Sequence, residues 1–457
     1  MSLGSRFYRQ KGRVTMDENE LMGSMKVSKA VAKMAIPSVI SSLVTVVYNM
    51  ADTFFVGQTG DPLQVAAVSL TNPIFILFMA FANMFGMGGS AAASMALGEK
   101  KEKRVKQVSS FITYASLIVG IVFAAILLVG MQPVLQLFGA DADTYELAKG
   151  YTTYISYGAP FIIWSAAASF VVRADGASRE AMTGSMIGTV ANIILDPIFI
   201  SGFGMGAAGA AIATTIGNIM ASVYYLWYFC RKSRNMSMAF RYFKCGDRIL
   251  SQVCSAGLPT AIFSALMSIS TIILNQILVE YGNAPVAAIG IVFKANMFIT
   301  FLQMGLANGV QPLLGYSYGA GNRERFITVE RYTKKCCLIV GVLATALFFF
   351  FREPIIRLFI SDTEVINYGV EMLIAYMISG PVIGILFMNM NCMQSTGNAL
   401  PATILSILRQ GVLLIPVLYG LNALLGLHGV IYGQALTDYV AVLLSIVIWR
   451  WKRRKTL

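Results

Sequence analysis

Asn192-Ile-Ile-Leu-Asp196-Pro197 places an amide and a carboxylate one helical turn apart inside an apolar run from about 181 to 201. A spacing of four puts Asn192 and Asp196 on one helical face, where both reach the same proton, ion or amine. An acid at the centre of a membrane helix costs roughly 2.5–3.5 kcal/mol on insertion scales, so a carboxylate kept there marks a functional site by default. Pro197 has no N–H to offer the carbonyl of Ile193, which frees an acceptor and predicts a kink beside the acid. The plainer alternative is a helix end at the membrane surface, with Asp196 hydrated and Pro197 as punctuation. The rest of the chain decides between them.

Of 457 residues, 56% are hydrophobic and 12% charged, with a mean hydropathy of +0.67, a balance far too apolar for a soluble globular chain. A helical span needs about 20 apolar residues. The runs that qualify lie near 34–57, 63–90, 107–131, 151–173, 181–201, 207–230, 254–279, 285–314, 336–351, 368–394, 402–421 and 427–451. The expected fold class is therefore an all-α polytopic membrane protein with twelve transmembrane helices. The first run follows 33 mostly polar residues, carries Asp52 and lacks a small-residue cleavage site, so it reads as a span and not a signal peptide.

A net charge of +13 would point to nucleic acid in a soluble protein, but its distribution points elsewhere. Numbering the loops alternately from an inside N-terminus puts 30 of the 35 Lys and Arg on one side, including Lys100–Arg104, the 231–248 loop and the tail Arg450–Lys455. The opposite loops hold Lys149, Arg352 and Arg357 and lean acidic, with Asp61, Asp141, Asp143, Glu146, Glu280, Asp362 and Glu364. This is the positive-inside pattern and places both termini in the cytoplasm, with the basic loops against anionic membrane lipid. The six cysteines lie on or near that same side, so no disulfide framework is implied. One histidine, His428, and no Cys-x-x-Cys leave a transition metal almost no ligands.

The chain aligns with itself at an offset of 221. Gly88 meets Gly309, Gly98 meets Gly319, Leu137-Phe138 meets Leu358-Phe359, Asp141 meets Asp362, Pro160 meets Pro381 and Gly176 meets Gly397. An ungapped register of more than a hundred residues marks an internal duplication. Six spans per half is an even number, so both halves enter the membrane the same way and are related by a pseudo-two-fold axis along its normal. The organisation expected is a cytoplasmic segment over 1–33, an N-lobe over 34–230, a basic linker over 231–252, a C-lobe over 253–451 and a tail over 452–457.

At about 1.5 Å of rise per residue, Asp52 and Asp196 each lie roughly 7–8 Å inside the boundary opposite the basic loops. Asn192 is a turn deeper, and Thr214 on span 6 reaches a similar level. Two acids facing lipid separately would each cost several kcal/mol (on the order of 2.5–3.5), so Asp52, Asn192, Asp196 and Thr214 are expected to share a pocket. The second half does not repeat the set, because Asp52 aligns with Ile273 and Asp196 with Val417. It carries Lys294, Arg409 and Asp438 instead. Arg409 either snorkels with Asp438 as its structural partner or serves transport. Gln303, Asn308, Gln311, Asn389 and Asn391 either line a cavity or join helices by hydrogen bonds.

These residues resemble the multidrug and toxic compound extrusion (MATE) family, in its MepA-like and DinF-like bacterial branches. The resemblance runs from about 26 to 455. Its most specific pieces are Asn49-Met-Ala-Asp52-Thr-Phe-Phe-Val-Gly57, Asn192-x-x-x-Asp196-Pro197, Gly204-Met-Gly206-Ala-Ala-Gly209-Ala-Ala-Ile-Ala-Thr214 and Gly315-Tyr-Ser-Tyr-Gly319-Ala-Gly-Asn322. It implies a bacterial inner-membrane exporter of amphipathic cations that exchanges them for protons or sodium, needs no other cofactor and works as a monomer. It also implies a cation site at Asp52, Asn192, Asp196 and Thr214. Some branches add acids in spans 7 and 10. Here span 7 has none before Glu280, and Glu371 lies near the start of span 10. A flippase for lipid or polysaccharide precursors is the closest rival, followed by a channel. A major-facilitator transporter would show an Asp-containing Gly-rich basic motif where this chain has Gly98-Glu-Lys-Lys-Glu-Lys-Arg104. No phosphate loop, zinc-protease motif or nucleophile elbow is present, which argues against an enzyme or an ATP-driven pump.

Overall fold

The computed structural model describes residues 20–457, so the first 19 residues of the expected N-terminal segment lie outside the described residues. Nine long helices come first: α1 (Val27–Gly57), α2 (Pro62–Gly98), α3 (Glu102–Val129), α4 (Tyr145–Ala174), α5 (Ser178–Pro197), α6 (Gly206–Arg231), α7 (Ile249–Val279), α8 (Asn283–Gly319) and α9 (Arg323–Phe350). The remaining chain forms α10 (Thr363–Ile378), α11 (Gly380–Ser395), α12 (Ala399–Ile407), α13 (Leu414–Leu425) and α14 (Leu427–Thr456). Among the described residues, eleven stretches, or twelve with a bent pair counted as one, are long and apolar enough to cross a membrane. Most helices start several residues before their apolar run, because a span continues through the headgroup region where polar side chains are solvated. The starts and ends are chemical. Asp61 accepts from the Leu63 N–H at 3.0 Å, Asn322 from Arg325 at 2.9 Å, and Asp362 from Glu364 and Val365 at 2.9 and 3.1 Å.

Three spans are not the plain helices expected from hydropathy. The run 368–394 is two helices bent by 45°, and the break falls at Ser379-Gly380-Pro381, where Pro381 has no N–H to continue the ladder. A π-helical turn over Ile198–Gly202 follows α5 directly after Pro197. A second π turn, Leu408–Leu413, joins α12 to α13 and contains Arg409. Such turns release backbone groups and cluster at functional sites.

The duplication is visible in the contacts between lobes. A methyl group added to Gly88 on α2 would lie 1.9 Å from the carbonyl oxygen of Val253 on α7, and one added to Gly309 on α8 would lie 2.8 Å from Ala35 and Ser38 on α1. Gly98 and Gly319, equivalent in the two halves, approach each other's helix ends, with a methyl on Gly98 reaching Tyr316 at 2.2 Å and one on Gly319 reaching Met95 at 2.0 Å. Small residues let membrane helices pack this closely. All these approaches lie in the half of the bundle next to the basic loops, so the lobes are closed there. The short helices Met131–Leu137 and Arg352–Arg357 on the opposite face begin 221 residues apart.

Two further ties hold the basic face shut. The Arg325 guanidinium donates to the carbonyls of Met22, Met25 and Leu21 at 2.9, 2.8 and 3.1 Å. Leu21 and Met22, which precede α1, are buried in the core of the C-lobe. The linker instead belongs to the N-lobe: Asp175 accepts from Ser233, Asn235 and Tyr228 at 2.6, 2.9 and 2.8 Å, and Tyr114 donates to the Met238 carbonyl at 2.9 Å.

Candidate functional site

Asn192 and Asp196 project from the last turns of α5 and Thr214 from α6, and all three are buried. Close approach is possible because α5 and α6 cross at glycines, where a methyl on Gly217 would lie 2.5 Å from the Gly188 carbonyl oxygen. The amide orientation that satisfies every partner has the Asn192 nitrogen donating to Asp196 Oδ2 at 3.0 Å, while its oxygen accepts from the Thr214 hydroxyl at 3.2 Å and the Thr214 N–H at 3.0 Å. Asn192 thus reads the carboxylate and the hydroxyl at once. Asn218, one turn beyond Thr214, donates to the Thr214 carbonyl at 2.9 Å and accepts from Ser165 on α4 at 2.9 Å, which fixes α6 against α4.

Asp52 on α1 is only half-buried, and it lies close enough to Asp196 for their charges to interact. Two tyrosines complete the group. Tyr48, a turn before Asp52, bonds to Thr214 Oγ1 at 3.4 Å, and Tyr151 on α4 is buried near both acids. Sequence reasoning missed both tyrosines. The signal for Tyr48 was its i–4 spacing from Asp52; for Tyr151, which faces the site across a helix interface, periodicity offers none.

The C-lobe residues divide into separate groups. Arg409 and Asp438 are buried, with Arg409 Nε 2.8 Å from Asp438 Oδ1. Gln434 donates to the same oxygen at 3.0 Å, and Arg409 Nη1 has no hydrogen-bond partner among the described residues. The guanidinium lies 5.2 and 5.9 Å from the ring centres of Phe263 and Phe387, so it packs inward and does not snorkel. Gln303 donates to the carbonyls of Cys337 and Gly380 at 2.9 and 3.2 Å, and Asn389 to Ser445 at 2.8 Å; both join helices and neither lines the cavity. Asn391 donates to Asn308 at 3.0 Å, and this pair does line a small cavity of about 30 Å³ between the lobes. Lys294 is half-buried on α8 and forms no ion pair among the described residues. Glu371 pairs with His428 at 2.6 Å, with His428 on the surface. Among the described residues no cluster of three His, Cys, Asp or Glu side chains could hold a metal.

The MatE family model matches this chain twice, over 37–198 and 259–419. The chain belongs to the MatE family. The two MatE segments begin 222 and end 221 residues apart, the same register as the internal duplication. Among curated relatives, a protein named Multidrug export protein MepA from Staphylococcus saprophyticus is 32% identical over 422 residues, covering 92% of this chain and 93% of its own. The MepA of Staphylococcus aureus matches at the same identity and coverage. Among solved structures, a MATE protein in complex with MaD3S superposes with a TM-score of 0.90 at 26% identity, covering 95% of this chain and 97% of that one.

Proposed function

We propose that this chain is a multidrug efflux transporter that exports amphipathic organic cations across a bacterial inner membrane by antiport, with both termini cytoplasmic. The family and the MepA relatives support a multidrug transporter. The observation that carries the antiport reading is the Asp52, Asn192, Asp196 and Thr214 group on the side of the N-lobe away from the closed basic face, where all but half-buried Asp52 are buried. With that face cytoplasmic, the site is reached from outside. Two carboxylates of like charge held in a low-dielectric pocket repel, and a proton entering from outside removes the repulsion. If the neutralised lobe packs differently, the proton biases the bundle toward the inward-open state, and the drug needs only to favour the other conformation.

The proton is preferred to sodium because Asn192, Thr214 and Tyr48 satisfy one another, leaving few oxygens for a cation's coordination shell. The test uses proteoliposomes preloaded with ethidium, membrane potential clamped, and a proton or sodium gradient imposed alone. Efflux driven by the proton gradient supports the reading; efflux following sodium overturns the choice of ion, and indifference to both overturns antiport.

A further inference from the structure

Lys294 precedes Gly305 on α8 by eleven residues, three turns that return it to the same helical face. That face meets α1 of the other lobe. A methyl on Gly305 would lie 2.8 Å from Val39 Cα and 3.0 Å from Ser42 Oγ, and one on Gly309 would lie 2.8 Å from Ala35 Cα. The two helices run antiparallel, so an equal rise outward from this crossing leads to Lys294 on α8 and to Asp52 on α1, each roughly 17 Å away. At that level the lobes have parted. Gly290, one turn further out on α8, has nothing within 4 Å of an added methyl, and half-buried Lys294 forms no ion pair among the described residues. We propose that Lys294 is the counter-ion of Asp52 when the face opposite the basic loops closes, forming an ion pair between the lobes that a cationic drug loosens. The inference rests on the chain being a cation exporter but not on which ion drives export.

An ammonium at this depth is tolerated where water reaches it, and the parted cleft supplies that water. Closing the cleft expels the water, and the ammonium then needs an anion. The acids inside the outer half of the C-lobe are already held, Asp438 by Arg409 at 2.8 Å and Glu371 by His428 at 2.6 Å. Of the two N-lobe acids, Asp196 is fully buried and bound by Asn192. Asp52 is half-buried and stands on the helix that packs against α8. It lies about a quarter turn round α1 from the stripe that faces α8, an offset the flexible four-carbon stem of lysine absorbs. Charge then gives the drug its effect. A cation in the cleft attracts Asp52 and repels Lys294, which weakens the pair, whereas a neutral molecule of similar size does neither. This is the differential interaction by which a ligand shifts a conformational equilibrium. The N-lobe has no second copy of the device, because Lys294 aligns at 221 with Pro73.

The experiment uses dicyclohexylcarbodiimide on wild-type proteoliposomes with no ion gradient. The reagent converts a carboxyl group to an O-acylisourea, and a lysine amine within reach displaces dicyclohexylurea to leave an amide. Digestion and mass spectrometry are expected to find the Asp52 and Lys294 peptides joined, as the bundle samples the closed arrangement. Saturating ethidium is expected to slow the joining about threefold or more, and neutral Nile red less than about 1.5-fold. Transport supplies a second readout. Lys294→Gln removes the competing charge, so its KM for ethidium is expected to fall about threefold or more, and Lys294→Arg is expected to return it to within about twofold of wild type. A merely damaged protein would not gain apparent affinity. Absence of the joined peptide, equal effects of ethidium and Nile red on the joining, or a KM in Lys294→Gln at or above that of wild type overturns the proposal. The joining needs no gradient, so efflux indifferent to protons and sodium would count against antiport alone.

Discussion

At the scale of single residues, the proposed N-lobe site separates groups that would hold the ion from groups that would position them. Asp196→Asn and Asp52→Asn keep side-chain volume and remove a charge, so the protein is expected to insert and purify normally while ethidium export by resistant cells falls at least about tenfold. Near wild-type export by either variant would remove that residue from the site. Asn192→Ala is expected to cost nearly as much, because one amide serves both Asp196 and Thr214 and its loss leaves two buried partners unsatisfied. Tyr48→Phe removes a single long bond of 3.4 Å, so its effect on transport should stay below about threefold. A kinetic comparison of these variants orders the residues directly.

At the scale of helices, the contacts that matter are backbone on backbone. Replacing Gly257 with Val puts a methyl 1.8 Å from the Met84 carbonyl oxygen, and such overpacking costs about 1–3 kcal/mol. The strain is relieved if α2 and α7 part, so Gly257→Val is expected to lower the thermal midpoint and to speed labelling of a cysteine placed at the buried Ser94. Gly290→Ala, with nothing within 4 Å, should do neither. Unchanged labelling in Gly257→Val would mean this crossing does not hold the face closed. The helices were also the most legible level in the sequence, since twelve apolar runs and a 221-residue register follow from composition and repetition alone. The depth of Asp52, Asp196 and Thr214 was legible because rise per residue is fixed. Helix rotation is not fixed by hydropathy, so Tyr151, the cavity wall and the inward turn of Arg409 needed the packed structure. The break at Gly380 and the π turn at Arg409 were hidden for a related reason: mean hydropathy does not register a missing or displaced hydrogen bond.

At the scale of the whole molecule, the charge distribution predicts an orientation. In a background whose only cysteine is exposed Cys245, an impermeant maleimide should label inverted vesicles and not intact cells; a lone cysteine at exposed Gln58 should do the reverse. Labelling of both from one side would contradict the odd number of spans, five, between them. The meeting of Gly98 with Gly319 has a different consequence. Two equivalent residues facing each other on the symmetry axis describe what a homodimer of six-helix subunits would do at its two-fold contact, each subunit inserted the same way. Fusion of such subunits would then have preserved the contact while letting one copy keep its acids and the other acquire Arg409 and Asp438. The linker packs on the N-lobe as far as Phe243, whose ring stacks on Phe111 with centroids 6.3 Å apart, and Gly246 has nothing within 4 Å of a would-be side chain. A gene cut at Gly246 should therefore yield two polypeptides that find each other in the membrane and confer resistance only when both are expressed.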